Sequence, residues 1–121
     1  MSETVVVLGA SAKPERYSNR ALHELVAHGH RVIPVNPGHL AIDGIATVPR
    51  LSAIREPVDT VTVYVNPEVL AKQIPELIAL RPKRVIFNPG AESPAAEAAL
   101  DDVGVPYEEA CTLVLLRTGQ Y

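Results

Sequence analysis

Apolar runs and amphipathic stretches alternate along this chain from end to end. Thr4–Leu8, Arg31–Val35, Thr60–Val65, Arg84–Phe87 and Val105–Tyr107 read as five strands, the first and third nearly continuous in β-branched residues. Runs of that kind fit strands covered on both faces, and their alternation with helices predicts a parallel sheet. Between the strands, Leu22, Leu25 and Val26 fall on one helical face, with Ser18 as the expected N-cap and Gly29 as the closing residue. A short helix is expected at Leu51–Arg55, another at Pro94–Asp102 closed by Gly104, and an apolar one over TLVLLRTG. The pattern over Pro67–Leu80 contains Pro75, which removes an amide donor and predicts a kink or break. The expectation is a single α/β domain, doubly wound around a five-stranded parallel sheet.

Composition narrows the function classes. The 121 residues are 47% hydrophobic but only 4% aromatic, without Trp, so the core must be aliphatic. A net charge of −3 argues against a nucleic-acid partner, which needs a basic face. No apolar stretch approaches a membrane span, and no signal-peptide pattern is visible. The single cysteine, Cys111, excludes an internal disulfide; with these features it points to a cytoplasmic setting.

Ligands of open parallel sheets sit beyond the carboxyl ends of the strands, where strand order reverses. Those ends here are GASAKPERYSN, NPGH, NPE and NPGAES. Three of them leave the strand through Asn-Pro, at Asn36-Pro37, Asn66-Pro67 and Asn88-Pro89. Asn-Pro is in itself a good strand exit, because Asn tolerates turns and Pro donates no ladder hydrogen bond. Three on one edge beside a loop with Ser11, Lys13, Arg16, Tyr17, Ser18 and Arg20 predict a polar crevice for a phosphate-bearing ligand. Arg20, in the first helical turn, is expected at the surface. A dinucleotide fingerprint is lacking: only Gly9 of its three glycines is present, and the second strand ends in Val35-Asn36 without an acid for the ribose. An NAD(P)- or nucleotide-binding regulatory module is therefore the weaker alternative.

The stretches VVVLGASAKPERYSNRA, RVIPVNP, VDTVTVYVNPE, RVIFNPGAES and GVPYEEACTLVLL together resemble the small stand-alone coenzyme A-binding proteins and the amino-terminal domain of the succinyl-CoA synthetase α subunit. The resemblance implies a Rossmann-like sheet with CoA or acyl-CoA lying across the strand ends. It places Gly9, Ala10, Ser11, Arg16, Tyr17 and Ser18 at the nucleotide phosphates. Asn36, Pro37, Val65, Asn66 and Pro67 would border the adenosine, and Asn88, Pro89 and Gly90 would face the pantetheine arm. None of His23, His28, His30 or His39 matches the synthetase's phosphorylated histidine. His28-x-His30 lacks further ligands for a metal.

No catalytic constellation stands out. Glu92, in the NPGAES turn, is expected as a cap for the helix starting near Ser93-Pro94 rather than as a catalytic carboxylate. Cys111 precedes an apolar helix, a place that favours thiolates, so a mixed disulfide with CoA is one expectation and a small buried hydrophobe the other. An enzyme acting on a CoA thioester through Cys111 or Glu92 is the remaining alternative. Leu113–Leu116 could pack on the sheet or on another subunit, so a homo-oligomer or an enzyme partner subunit stays open.

Overall fold

The structure is a computed structural model and describes residues 2–121. Its centre is a five-stranded parallel sheet of β1 (Thr4–Leu8), β2 (Arg31–Val35), β5 (Thr60–Val63), β6 (Arg84–Phe87) and β7 (Tyr107–Glu109), in the order β2-β1-β5-β6-β7. Between β2 and β5 lie a small antiparallel hairpin, β3 (Ala41–Ile42) and β4 (Ile45–Ala46), and a single 3-10 turn at Leu51–Ala53. The helices are α1 (Tyr17–Ala27), α2 (Pro67–Ala71), α3 (Ile74–Leu80), α4 (Pro94–Val103) and α5 (Thr112–Arg117).

Strand alternation divides the core in two. Val6, Leu8, Val61, Val63, Val85 and Phe87 face a layer containing Leu70, Leu77, Ala96 and Leu100. Val5, Val7 and Val32 face Leu22 and Leu25 of α1 and Leu116 of α5. Both faces are thus covered, as the β-branched runs of β1 and β5 require. Pro34 is tolerated because β2 is an edge strand; its carbonyl accepts the Val48 amide at 3.0 Å, and no donor is needed on that side.

Several boundaries differ from the sequence expectation. The first helix begins at Tyr17 with Arg16 as N-cap, so Ser18 lies inside its first turn, buried, rather than capping it. Its other end behaves as expected: Gly29 takes φ +85°, and the Gly29 and His30 amides donate to Val26 and Leu25. The expected helix at Leu51–Arg55 is only the 3-10 turn. Pro75 splits its segment into α2 and α3 and sits in the first turn of α3, where a missing amide costs nothing.

The third strand of the sheet stops at Val63, two residues early, because Val65 turns over Gly9. The last strand starts at Tyr107 instead of Val105. The Val105 amide is spent on the Leu100 carbonyl in closing α4 behind Gly104, and Pro106 has no amide to donate. Strand order reverses between β1 and β5, which puts the crevice of this topology at the Gly9 loop.

Candidate functional site

The loop after β1 is shaped by its own short-range bonds. Ser11 Oγ accepts the Lys13 amide at 3.1 Å, and the Lys13 carbonyl accepts the Arg16 amide at 3.1 Å. At its start Gly9 has φ +89°, and a Cβ there would lie 2.9 Å from Val65 Cγ1. Glycine is therefore required twice, by conformation and by the approach of the neighbouring strand's exit.

The loop ends at α1, whose amino terminus no side chain caps; the Tyr17 and Ser18 amides have no protein acceptor among the described residues. The amino ends of α2 and α4 differ, since Asn66 caps the one and Ser93 the other, through the Val69 amide at 2.9 Å and the Ala96 amide at 3.1 Å. Unfilled amides at a helix start carry partial positive charge.

A cavity of about 450 Å³ opens there, lined by Gly9, Ser11, Lys13, Arg16, Tyr17, Ser18, Asn36, His39, Tyr64 and Pro89. A second, more apolar cavity of about 320 Å³ adjoins it, sharing Tyr17, Tyr64 and Pro89 and reaching Asn88, Cys111, Leu113, Val114 and Arg117. The two form one cleft along the carboxyl ends of the strands, cationic at one end and apolar with a thiol at the other.

Neither Lys13 nor Arg16 forms an ion pair among the described residues. A depression of about 400 Å³ at the opposite rim contrasts with this. Its cations are matched by carboxylates, Lys83 with Asp59 at 3.2 Å and Arg84 with Glu3 and Glu108 at 3.6 and 3.7 Å. That rim ties strands together; the carboxyl rim keeps positive charge unspent.

The three Asn-Pro exits are each absorbed by the fold. Asn36 Nδ2 donates to the Ala10 carbonyl at 2.8 Å and its Oδ1 accepts the Gly38 amide, which ties the β2 exit to the β1 loop. Asn66 caps α2, with Pro67 opening the helix. Asn88 is buried, donating to Thr62 Oγ1 at 2.7 Å and the Val63 carbonyl at 2.9 Å, and accepting the Thr112 amide at 2.8 Å. Of the residues expected at the site, the cleft gathers Gly9, Ser11, Arg16, Tyr17, Ser18, Asn36, Asn88, Pro89 and Cys111. Ala10, Pro37, Val65, Asn66, Pro67 and Gly90 do not line it. Ala10 is buried, and Val65 acts by covering Gly9.

Glu92 does not cap α4. Ser93 does, and the Glu92 carboxylate accepts the Gly90 amide at 2.9 Å within the turn. Burial pushes the nearby Glu97 carboxyl up to about 7, helped by the neighbouring Glu109 carboxylate and by the charges of Asp101 and Glu92. Cys111 is a half-buried free thiol at the N-cap of α5. Arg20 is at the surface, its guanidinium 5.5 Å from the centre of the Tyr17 ring. No group of three or more His, Cys, Asp or Glu able to hold a metal occurs among the described residues. No helix among them is long and apolar enough to cross a membrane.

Three contributors escaped the sequence reading. Tyr64 lines both halves of the cleft, and burial pushes its phenol to about 12; its hydroxyl lacks a partner while the nearby Thr62 and Thr112 hydroxyls bond each other at 2.8 Å. His39 arrives on the segment before the hairpin, which AIDGIA could have revealed, since Asp-Gly between apolar pairs is a strong hairpin signal. Buried Asn19 on α1 had no sequence signal.

The fold recurs in solved structures. An uncharacterized protein of known crystal structure is 36% identical, with a TM-score of 0.93 over 100% of this chain and 99% of its own. A Thermus thermophilus protein is 34% identical, with a TM-score of 0.88 over 98% of this chain and 90% of its own. At 23% identity, the apo dinucleotide-forming acetyl-coenzyme A synthetase 1 of Ca. Korarchaeum cryptofilum shares the fold alone. Its TM-score is 0.64, over 70% of this chain and 19% of that one. The family model described as a CoA binding domain matches residues 3–117, every strand of the parallel sheet and every helix, and the chain belongs to that family.

Proposed function

We propose that the cleft holds coenzyme A or an acyl-CoA, with the phosphates against Lys13, Arg16 and the amino end of α1. The pantetheine arm runs past Tyr17, Tyr64 and Pro89 toward Cys111. The observation that carries this reading is the pairing of an uncapped helix start with two cations that have no carboxylate partner among the described residues, beside an apolar groove at the same strand ends. Anionic oxygens complete such a helix start, and the groove suits an uncharged arm. Family membership supports the ligand class. The protein acts as a holder of CoA, a carrier or sensor working with a partner subunit or a second copy, without catalytic groups of its own.

The test is a thermal-shift panel of CoA, acetyl-CoA, NAD, NADP and ATP. CoA at about 100 times its Kd is expected to add about 2.7 kcal/mol of apparent stability. Arg16→Ala should weaken CoA roughly tenfold or more, the loss of one charge-assisted hydrogen bond. An unchanged melting temperature with CoA, or a larger shift with NAD, would overturn the reading.

The thiol at the apolar end favours a second, compatible role. The Cys111 thiolate attacks one sulfur of CoA disulfide, the old S–S bond breaks, the Cys111–CoA bond forms, and CoA leaves as a thiolate that takes up a proton. Intact mass after incubation with CoA disulfide should show one CoA adduct, absent in Cys111→Ser. No adduct on the parent protein removes this role and leaves non-covalent binding standing.

A further inference from the structure

The segment between β2 and β5 touches the cleft in two ways: His39, ahead of the hairpin, lines it directly, and the hairpin tip reaches its loop through α1. Asp43 has φ +51° and Gly44 φ +82°, the two left-handed residues of a tight hairpin turn joining β3 to β4. Ile42, 1% exposed, anchors the hairpin in the cluster that contains Leu22 and Leu25. The Asp43 carboxylate then accepts Asn19 Nδ2 at 3.0 Å and stands 2.8 Å from His23 Nε2.

Asn19 is 2% exposed, and its amide nitrogen also donates to the Ser11 carbonyl at 2.8 Å. Both protons of that amide are thereby used, one on the loop and one on the hairpin. Hydrogen bonds from Asn19 first and His23 second hold the Asp43 carboxyl below its ordinary range, so it accepts as a carboxylate at neutral pH.

We infer that Asp43 is a positioning residue for CoA: through Asn19 it fixes the Ser11 carbonyl, and with it the loop that brings Lys13 and Arg16 to the amino end of α1. The role rests on the CoA reading above. Without an acceptor at position 43, the Asn19 amide is free to turn, and the loop start loses the side-chain bond that ties it to the helix beneath it. The phosphate end of the cleft then has to be ordered by the ligand, which lowers affinity.

Asp43→Gly and Asp43→Asn separate this role from a structural one, because both residues suit the left-handed turn but only Asn keeps an acceptor for Asn19. By calorimetry with CoA, Asp43→Gly should bind roughly tenfold more weakly and Asp43→Asn within about twofold of the parent. The unliganded Asp43→Gly protein should still unfold in one cooperative step, its melting temperature lowered by several degrees at most through the orphaned Asn19 proton, so the titration reads the native fold. In an Arg16→Ala background the Asp43→Gly penalty should shrink, because both act on the same loop. CoA binding by Asp43→Gly equal to the parent's, or a penalty undiminished beside Arg16→Ala, overturns the role of Asp43 while leaving the CoA reading intact. A parent protein that ignores CoA brings down both.

Discussion

Asn88→Ala is expected to destabilise the protein by about 3 kcal/mol, the effect of one orphaned buried amide together with the lost packing volume. The Asn88 amide is the meeting point of β5, β6 and α5: it donates to Thr62 Oγ1 and the Val63 carbonyl and accepts the Thr112 amide. Thr112 is fully buried, so its amide has no route to water once the Asn88 oxygen is gone. The Val63 carbonyl keeps the Asn88 backbone amide at 3.3 Å, and Thr62 keeps the Thr112 hydroxyl at 2.8 Å; the orphaned Thr112 amide and the lost volume supply most of the cost. Against a typical total of about 5–15 kcal/mol, that is a large fraction. Urea unfolding measures it directly. A loss below about 1 kcal/mol would mean that solvent reaches the start of α5, contrary to the burial of Thr112.

Gly9→Ala is expected to cost about 2–4 kcal/mol and to weaken CoA binding as well. A left-handed backbone charges an alanine about 1–2 kcal/mol, and steric strain adds to it. The new methyl group would meet Val65 Cγ1 at 2.9 Å, the Val65 amide nitrogen at 3.1 Å and the Tyr64 carbonyl carbon at 3.2 Å. A side chain can rotate away, whereas the backbone of the β5 exit has to move, and Tyr64 moves with it. Val65→Ala in the same protein removes the side-chain contact only, so it should restore part of the stability and little of the affinity. Full recovery of both in the double variant would show that the Val65 side chain, and not φ or the backbone approach, makes glycine necessary.

Much of the fold was legible because its cues are local. Continuous β-branched runs named β1 and β5, Gly29 and Gly104 marked helix ends, and Pro75 marked a break that the structure places between α2 and α3. The slipped boundaries involve competition for backbone hydrogen bonds. Val105 looks like strand, yet its amide is claimed by the closing turn of α4. Ser18 looks like a cap, yet the helix has already started at Tyr17. The hairpin strands are two residues each, too short to show alternation, so Asp43-Gly44 is the one local sign of their turn.

The cleft was legible in outline and not in its parts. Parallel topology puts loops at one rim whatever their sequence, so Gly9, Arg16, Tyr17 and Pro89 could be placed there from chain position, whereas the sequence marks Cys111 only as a thiol at a helix start. What each polar side chain does at that rim depends on residues far away in sequence. Asn36, Asn66 and Asn88 share one dipeptide motif and have three different fates: a tie to the neighbouring loop, a helix cap, and a buried junction.

By itself, the order of apolar and polar residues determined a doubly wound parallel sheet with a cationic loop at its carboxyl rim, since backbone conformation and one-sided burial are decided by near neighbours. Only the tertiary structure decided that α1 stays uncapped, that Val65 seals Gly9, and that Asp43 reaches Ser11 through Asn19. Those outcomes depend on which amide, carbonyl or methyl group another segment delivers within a few ångströms, and no local stretch of the chain encodes that distance.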